Sequence, residues 1–176
     1  MNLQNKGVVF VPGCLLCPVF QVKYDSAKLG WREELMKALV NSGVNIVQMQ
    51  CPEASFNGYS NGMARKPHGV RYYEKLSGFP EHCKVLAKEI TGQILSLEEH
   101  GTQVKAILGI ENSPTCAVNR IFTFGIGTEC RAGVFIGELI KQLSYEKKDI
   151  PFIGITRHKA SQQREIDALM RAIERN

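Results

Sequence analysis

The sequence predicts an α/β domain of the Rossmann-like, three-layer kind, with a four-stranded parallel sheet and helices on both faces. Three observations predict it. Short apolar runs alternate with longer amphipathic stretches in the order β-α-β-α-β-α-β-α. Three of the four apolar runs are almost continuously apolar, as strands covered on both faces must be. No repeat or low-complexity segment breaks the alternation, so 1–176 reads as one domain.

The first strand is expected over GVVFV, starting at Gly7. A helix follows from Arg32 to Asn41, where Leu35, Met36, Leu39 and Val40 share a face and Gly43 supplies the stop. The second strand, VNIVQM, starts at Val44 and is the least apolar of the four. A long helix is expected from Glu81 to His100, with Leu86, Ile90, Ile94 and Leu97 on one stripe and Gly101 at its end. The third strand is VKAILGI, starting at Val104, and the next helix runs from Ala132 to Tyr145 around Phe135, Leu139 and Leu143. The fourth strand, FIGIT, starts at Phe152. The last helix runs from Ala160 to Glu174 around Ile166, Leu169, Met170 and Ile173. Right-handed crossovers would wrap these helices onto both faces of the sheet.

Two connections, 50–79 and 111–131, are far longer than the usual βα loop of about 2–6 residues. Both leave the carboxyl ends of strands, the edge where open α/β sheets bind ligands.

Composition narrows the function. Hydrophobic residues at 44% and charged residues at 22% are those of an ordinary soluble globule. The 22 Lys and Arg against 17 Asp and Glu give only +5, and the basic residues form no run, so neither a nucleic-acid partner nor a membrane surface is expected. No stretch approaches about 20 consecutive apolar residues. The opening MNLQNKGVVFVPG lacks the charged lead, long apolar core and cleavage site of a secretory signal, so a cytoplasmic location is expected. Thiols there stay reduced, which leaves the six cysteines free, catalytic or metal-bound.

Their placement is the informative feature. Cys14, Cys51 and Cys116 lie just beyond the carboxyl ends of the first three expected strands. Adjacent strands stand about 4.8 Å apart, so three thiols distant in sequence can converge. Three thiolates without an obvious fourth ligand suit an iron–sulfur cluster with one open iron. Zinc remains open as an alternative, with His68 the histidine best placed to help. Cys14 and Cys17 also form a C-x-x-C pair, but Pro18 ends it in a turn, whereas a thioredoxin-like pair opens a helix. Cys83, within a helical pattern, and Cys130 read as small buried hydrophobes.

Three segments carry a resemblance. CLLCPVFQVKYD (from Cys14), QCPEASFNGYSNGMAR (from Gln50) and GIENSPTCAVNR (from Gly109) resemble, in the same order, the signature segments of the 2-thiouracil desulfurase family. The resemblance implies a [4Fe-4S] cluster held by Cys14, Cys51 and Cys116. It also implies an enzyme that takes the sulfur from a small thiolated substrate such as a thiouracil and leaves an oxo product. Arg65 matches the family's arginine and is expected to contact substrate. Cys17 stands where the family has glycine, Met63-Ala64-Arg65 where Pro-Arg is usual, and Glu111-Asn112 where Asn-Cys is commoner. These departures point to a related branch with its own substrate.

Proton transfer at the reacting carbon needs a donor and an acceptor. Glu53, beside Cys51, is the first candidate and Glu111, ending the third strand, the second; a structural Glu53 would instead cap a helix or pair with Arg65. Ser113, and more weakly Asn112, would hydrogen-bond substrate or a cluster sulfur, or simply serve as turn residues. The stretch from Asn57 to Tyr73 is expected to cover the site as a lid. The competing class is a non-catalytic iron–sulfur or metal-binding sensor or sulfur carrier. A nucleotide-binding domain is disfavoured, because no G-x-G-x-x-G follows the first strand.

Overall fold

The computed structural model describes residues 6–21, 30–59, 66–123, 126–157 and 159–174. In chain order these form β1 (Val8–Pro12), α1 (Gly13–Leu16), a 3₁₀ turn (Pro18–Phe20), α2 (Gly30–Ser42), β2 (Asn45–Met49), α3 (Pro52–Phe56), α4 (Val70–Lys75) and α5 (Phe79–Glu99). There follow β3 (Val104–Ile110), β4 (Ile121–Thr123), β5 (Gly127–Glu129), α6 (Val134–Tyr145), β6 (Phe152–Ile155) and α7 (Lys159–Glu174).

The expected architecture is present. Four parallel strands lie in the order β2-β1-β3-β6. The chain steps from β1 outward to β2, then crosses back to β3 on the other side of β1. The first two crossovers, right-handed by the usual rule, therefore fall on opposite faces, and the third, which continues in the direction of the second, shares its face. Leu35 and Leu39 of α2 and Ile166, Leu169 and Ile173 of α7 pack with Val9, Val11, Ala106 and Leu108 on one face. Leu86, Ile90 and Ile94 of α5 and Phe135, Ile136 and Leu139 of α6 pack with Val8, Phe10 and Ile107 on the other. The reversal of strand order between β1 and β3 is a topological switch point, where α/β sheets open a crevice at their carboxyl edge.

Register explains two local features. Val8 pairs with Val104 and Val9 with Ala106, so Lys105 is an extra residue in β3. The bulge turns Val104 toward the α5–α6 face although Ala106 looks to the other. The weak apolar pattern of β2 follows from its place at the edge of the sheet, where Asn45 and Gln48 are exposed.

Both long connections hold structure that periodicity did not announce. The first contains α3 and α4, and the second contains the antiparallel β4–β5 ribbon. These elements are too short to register as a 3.6- or 2-residue pattern. Helix α5 starts two residues before the expected Glu81, because Pro80 needs no N–H partner in a first turn. Helix α6 starts after the expected Ala132, because Gly133 lies against the backbone of Thr115.

Two strand glycines let the second connection fold back over the sheet. A Cβ on Gly109 would overlap the Cys116 carbonyl, and one on Gly154 would overlap the Glu111 carboxylate. Gly154→Ala is expected to lower stability by about 1–3 kcal/mol through overpacking, read as a fall in the denaturation midpoint. Gly92→Ala, in open space on α5, should instead match or exceed the parent.

Candidate functional site

The carboxyl edge of the sheet holds one cavity of about 400 Å³ to which all four strands contribute. Cys14 follows β1, Cys51 follows β2, Glu111 to Cys116 follow β3, and Arg157 follows β6; all line it. Glu53, Asn112 and Ser113 line it as well. The three cysteines and four of the five other site residues expected from sequence therefore meet. The fifth, Arg65, lies outside the described residues, as do Tyr24 and Asp25 of the family-like segment.

Cys14 sits in α1, a single helical turn, and Cys17 follows it in extended conformation before the 3₁₀ turn at Pro18, so the C-x-x-C segment ends in a turn as expected. Four residues cannot hold a helix by themselves, and this one is held by hydrogen bonds to its carbonyls. The Gly13 carbonyl accepts from the Cys17 N–H (2.7 Å) and the Cys14 carbonyl from Gln21 Nε2 (3.1 Å). Arg32 of α2 donates to the next two carbonyls, Leu15 (2.5 Å) and Leu16 (3.1 Å). Those carbonyls would otherwise be unpaired at a helix end.

Cys51 precedes α3 in extended conformation, with Pro52 opening the helix and Glu53 in its first turn. Glu53 is only 6% exposed. It accepts from Thr115 Oγ1 at Oε1 and from Tyr73 Oη at Oε2, both at 2.8 Å. One carboxylate thus joins the Cys51 segment, α4 and the Cys116 loop, and α3 carries no side-chain cap at its N-terminus. The far end of α3 is held by Ser55, whose Oγ lies 2.8 Å from His82 Nε2 on α5. Burial lowers the pKa of His82, which favours the neutral ring.

The Cys116 loop is organised by the two other polar candidates. Ser113 Oγ accepts the N–H groups of Thr115 (3.3 Å) and Cys116 (3.1 Å), closing the turn before the cysteine. Glu111 Oε1 accepts from Asn119 Nδ2 (2.9 Å) and N–H (3.2 Å), and Oε2 from the Arg120 N–H (3.0 Å). Its carboxylate is thereby the brace of the 111–120 loop. Asn112 has φ 63, a left-handed conformation that asparagine tolerates.

Burial pushes the Cys116 thiol well above its ordinary value of 9.0, and negative charge on Cys14, Cys51 and Glu53 pushes the same way. The Thr115 hydroxyl, 3.5 Å from the sulfur, opposes this weakly, because its one proton lies between Cys116 Sγ and the nearer Glu53 Oε1 at 2.8 Å. Three thiols whose anions repel one another are a site that favours a cationic centre. Among the described residues no three His, Cys, Asp or Glu side chains are grouped closely enough to hold one metal ion.

The remaining cysteines separate. Cys17 is half-buried and does not line the cavity. Cys83 is fully buried, as expected. Cys130 is exposed, contrary to its reading as a buried hydrophobe, because it follows the β4–β5 ribbon rather than entering the next helix. In the expected lid, Pro67 and His68 line the cavity, with His68 stacked on Tyr72 (3.7 Å between centroids), while Lys66 and Arg71 are exposed. His158 lies outside the described residues.

Sequence reasoning missed Gln21, Tyr73, Thr115 and Arg157. Arg157 carried a usable signal, since it stands just past the fourth strand as the cysteines stand past the other three. Tyr73 and Thr115 act through hydrogen bonds to Glu53, 20 and 62 residues away, and Gln21 through a side-chain bond to a backbone carbonyl, none of which spacing reveals.

Burial raises the Cys83 thiol to about 12. The folded state therefore keeps a proton that the unfolded chain releases above pH 9, so stability should fall as pH rises from 9 toward 12. Cys83→Ala should remove that part of the slope in denaturant titrations. In alkylation at pH 8, Cys130 should react first and Cys83 only after unfolding.

Compared with family models, with curated proteins and with solved structures, the chain has no match.

Proposed function

We propose that the protein is an iron–sulfur-dependent desulfurase that hydrolyses a C=S group of a small thiolated molecule, such as a thiouracil, water supplying the oxygen of the C=O product and the sulfur leaving as sulfide with no net change of oxidation state. The observation that carries the reading is the lining of one cavity by Cys14, Cys51 and Cys116, each from a different strand end, together with a buried carboxylate. The donor set has the chemistry of a [4Fe-4S] cluster, because three soft thiols are its usual ligands.

When bound, such a cluster would supply a Lewis-acidic iron that attracts soft sulfur and polarises the C=S bond. The chain's own residues supply the rest. Cys14, Cys51 and Cys116 would hold the group. Glu53 has its two oxygens oriented by Thr115 and Tyr73, and is the group to take a proton from water attacking the carbon. Ser113 Oγ already accepts two N–H groups, so its remaining capacity is to donate a hydrogen bond, toward substrate or toward Thr115 Oγ1 at 3.4 Å. Glu111 acts as loop brace, because both oxygens are engaged by Asn119 and Arg120. Asn112 at the exposed rim is placed to contact substrate, and Arg65 is proposed for the same role.

Purification without oxygen, followed by a visible spectrum, iron analysis and assay with 2-thiouracil, tests the reading. A brown protein that releases uracil is expected. Cys14→Ser, Cys51→Ser and Cys116→Ser should each abolish the colour, and Cys83→Ser should keep it. Glu53→Gln should keep the colour but lower kcat by about a hundredfold or more, the usual size of a general-base contribution. A protein that stays colourless and iron-free after anaerobic reconstitution would sink the cluster. A brown protein inert toward thiolated bases would favour a sensor or sulfur carrier.

A further inference from the structure

Gln21 follows the 3₁₀ turn Pro18–Phe20, seven residues after Cys14, and lines the same cavity, half-buried. Its Nε2 donates to the Cys14 carbonyl at 3.1 Å. A carbonyl oxygen can only accept, so the amide nitrogen must face it, and the orientation of the side-chain amide is determined. Oε1 is then the atom left over, and among the described residues it has no hydrogen-bond partner.

The other polar groups of the cavity sharpen the significance of that atom. Ser113 Oγ has its acceptor capacity taken by two N–H groups. The Glu111 oxygens are engaged by Asn119 and Arg120, and those of Glu53 by Thr115 and Tyr73. Arg157 can only donate. Asn112 carries an amide but is exposed at the rim. Among the described residues Gln21 Oε1 is thus a neutral acceptor, oriented by its own amide, on the half-buried wall beside Cys14; of the other lining side chains, Thr115 gives its proton to Glu53 and His68 is stacked on Tyr72.

We propose that Gln21 is a specificity-determining residue: its Oε1 accepts a hydrogen bond from an N–H next to the thiocarbonyl carbon. The cavity then selects thiolactams and thioamides bearing such an N–H over N-alkylated thiocarbonyls. This rests on the desulfurase reading for the reaction, but recognition can be measured apart from turnover.

Gln21→Lys and Gln21→Met separate the two roles of the side chain. Lysine keeps a donor for the Cys14 carbonyl and removes the acceptor, whereas methionine removes both. Each variant and the parent are tested with 2-thiouracil and with 1,3-dimethyl-2-thiouracil, by calorimetric binding and by KM. The parent should prefer the N–H compound by about tenfold or more, the weight of one well-placed hydrogen bond. Both variants should bring the ratio close to one. A parent without the preference, a parent that binds neither compound, or a ratio unchanged in the variants overturns the proposal. A parent that shows the preference in binding but no turnover leaves the role of Gln21 standing and overturns the desulfurase reading instead.

Discussion

A parallel strand can be re-entered only from the end at which its neighbour began, and this constraint organises the molecule. Every connection must leave the carboxyl edge and travel back over a face of the sheet. The four strands β2-β1-β3-β6 therefore open all their outgoing loops on one side. Because strand order reverses between β1 and β3, those loops diverge there and leave a crevice rather than a packed seam. The convergence of Cys14, Cys51 and Cys116 on one cavity is a consequence of that topology, with no requirement that they be near in sequence.

Within the crevice the loops are held by charge-assisted and neutral hydrogen bonds rather than by regular structure. Glu53 joins the Cys51 segment to the Cys116 loop through Thr115 and to α4 through Tyr73. Glu111 braces the third loop, and Arg32 with Gln21 satisfies the carbonyls of the first. A buried carboxylate is tolerated only when its oxygens are paired. The same bonds that make Glu53 tolerable also fix its direction relative to the thiols. Gly109 and Gly154 complete the arrangement by admitting the Cys116 backbone and the Glu111 side chain against the sheet.

Much of this was legible in the residues. The strand and helix patterns carry the fold, because burial on both faces forces continuous apolar runs in β1, β3 and β6 and amphipathic stripes in α5, α6 and α7. The three cysteines were legible because each stands just past a strand. Other parts were not. The short helices α3 and α4 and the β4–β5 ribbon span too few residues for periodicity to detect. The exposure of Cys130 depends on that ribbon. Thr115 and Tyr73 have no signal of their own, since their partner Glu53 is far away in the chain.

By itself, the sequence determined the α/β class, the identity of the loops at the working edge and the placement of three thiols there. These properties depend on local patterning and on the direction rule for parallel strands. Only the tertiary structure decided which side chains face one another across the cavity. It made Glu53 a bridged carboxylate, Glu111 a brace and Gln21 an oriented acceptor, and it left Cys17 outside the cavity wall. The physical reason is that hydrogen-bond pairing and burial are set by how the folded loops turn side chains toward one another, across 7 residues for Gln21 and Cys14 and 62 for Thr115 and Glu53, and spacing along the sequence carries no such direction.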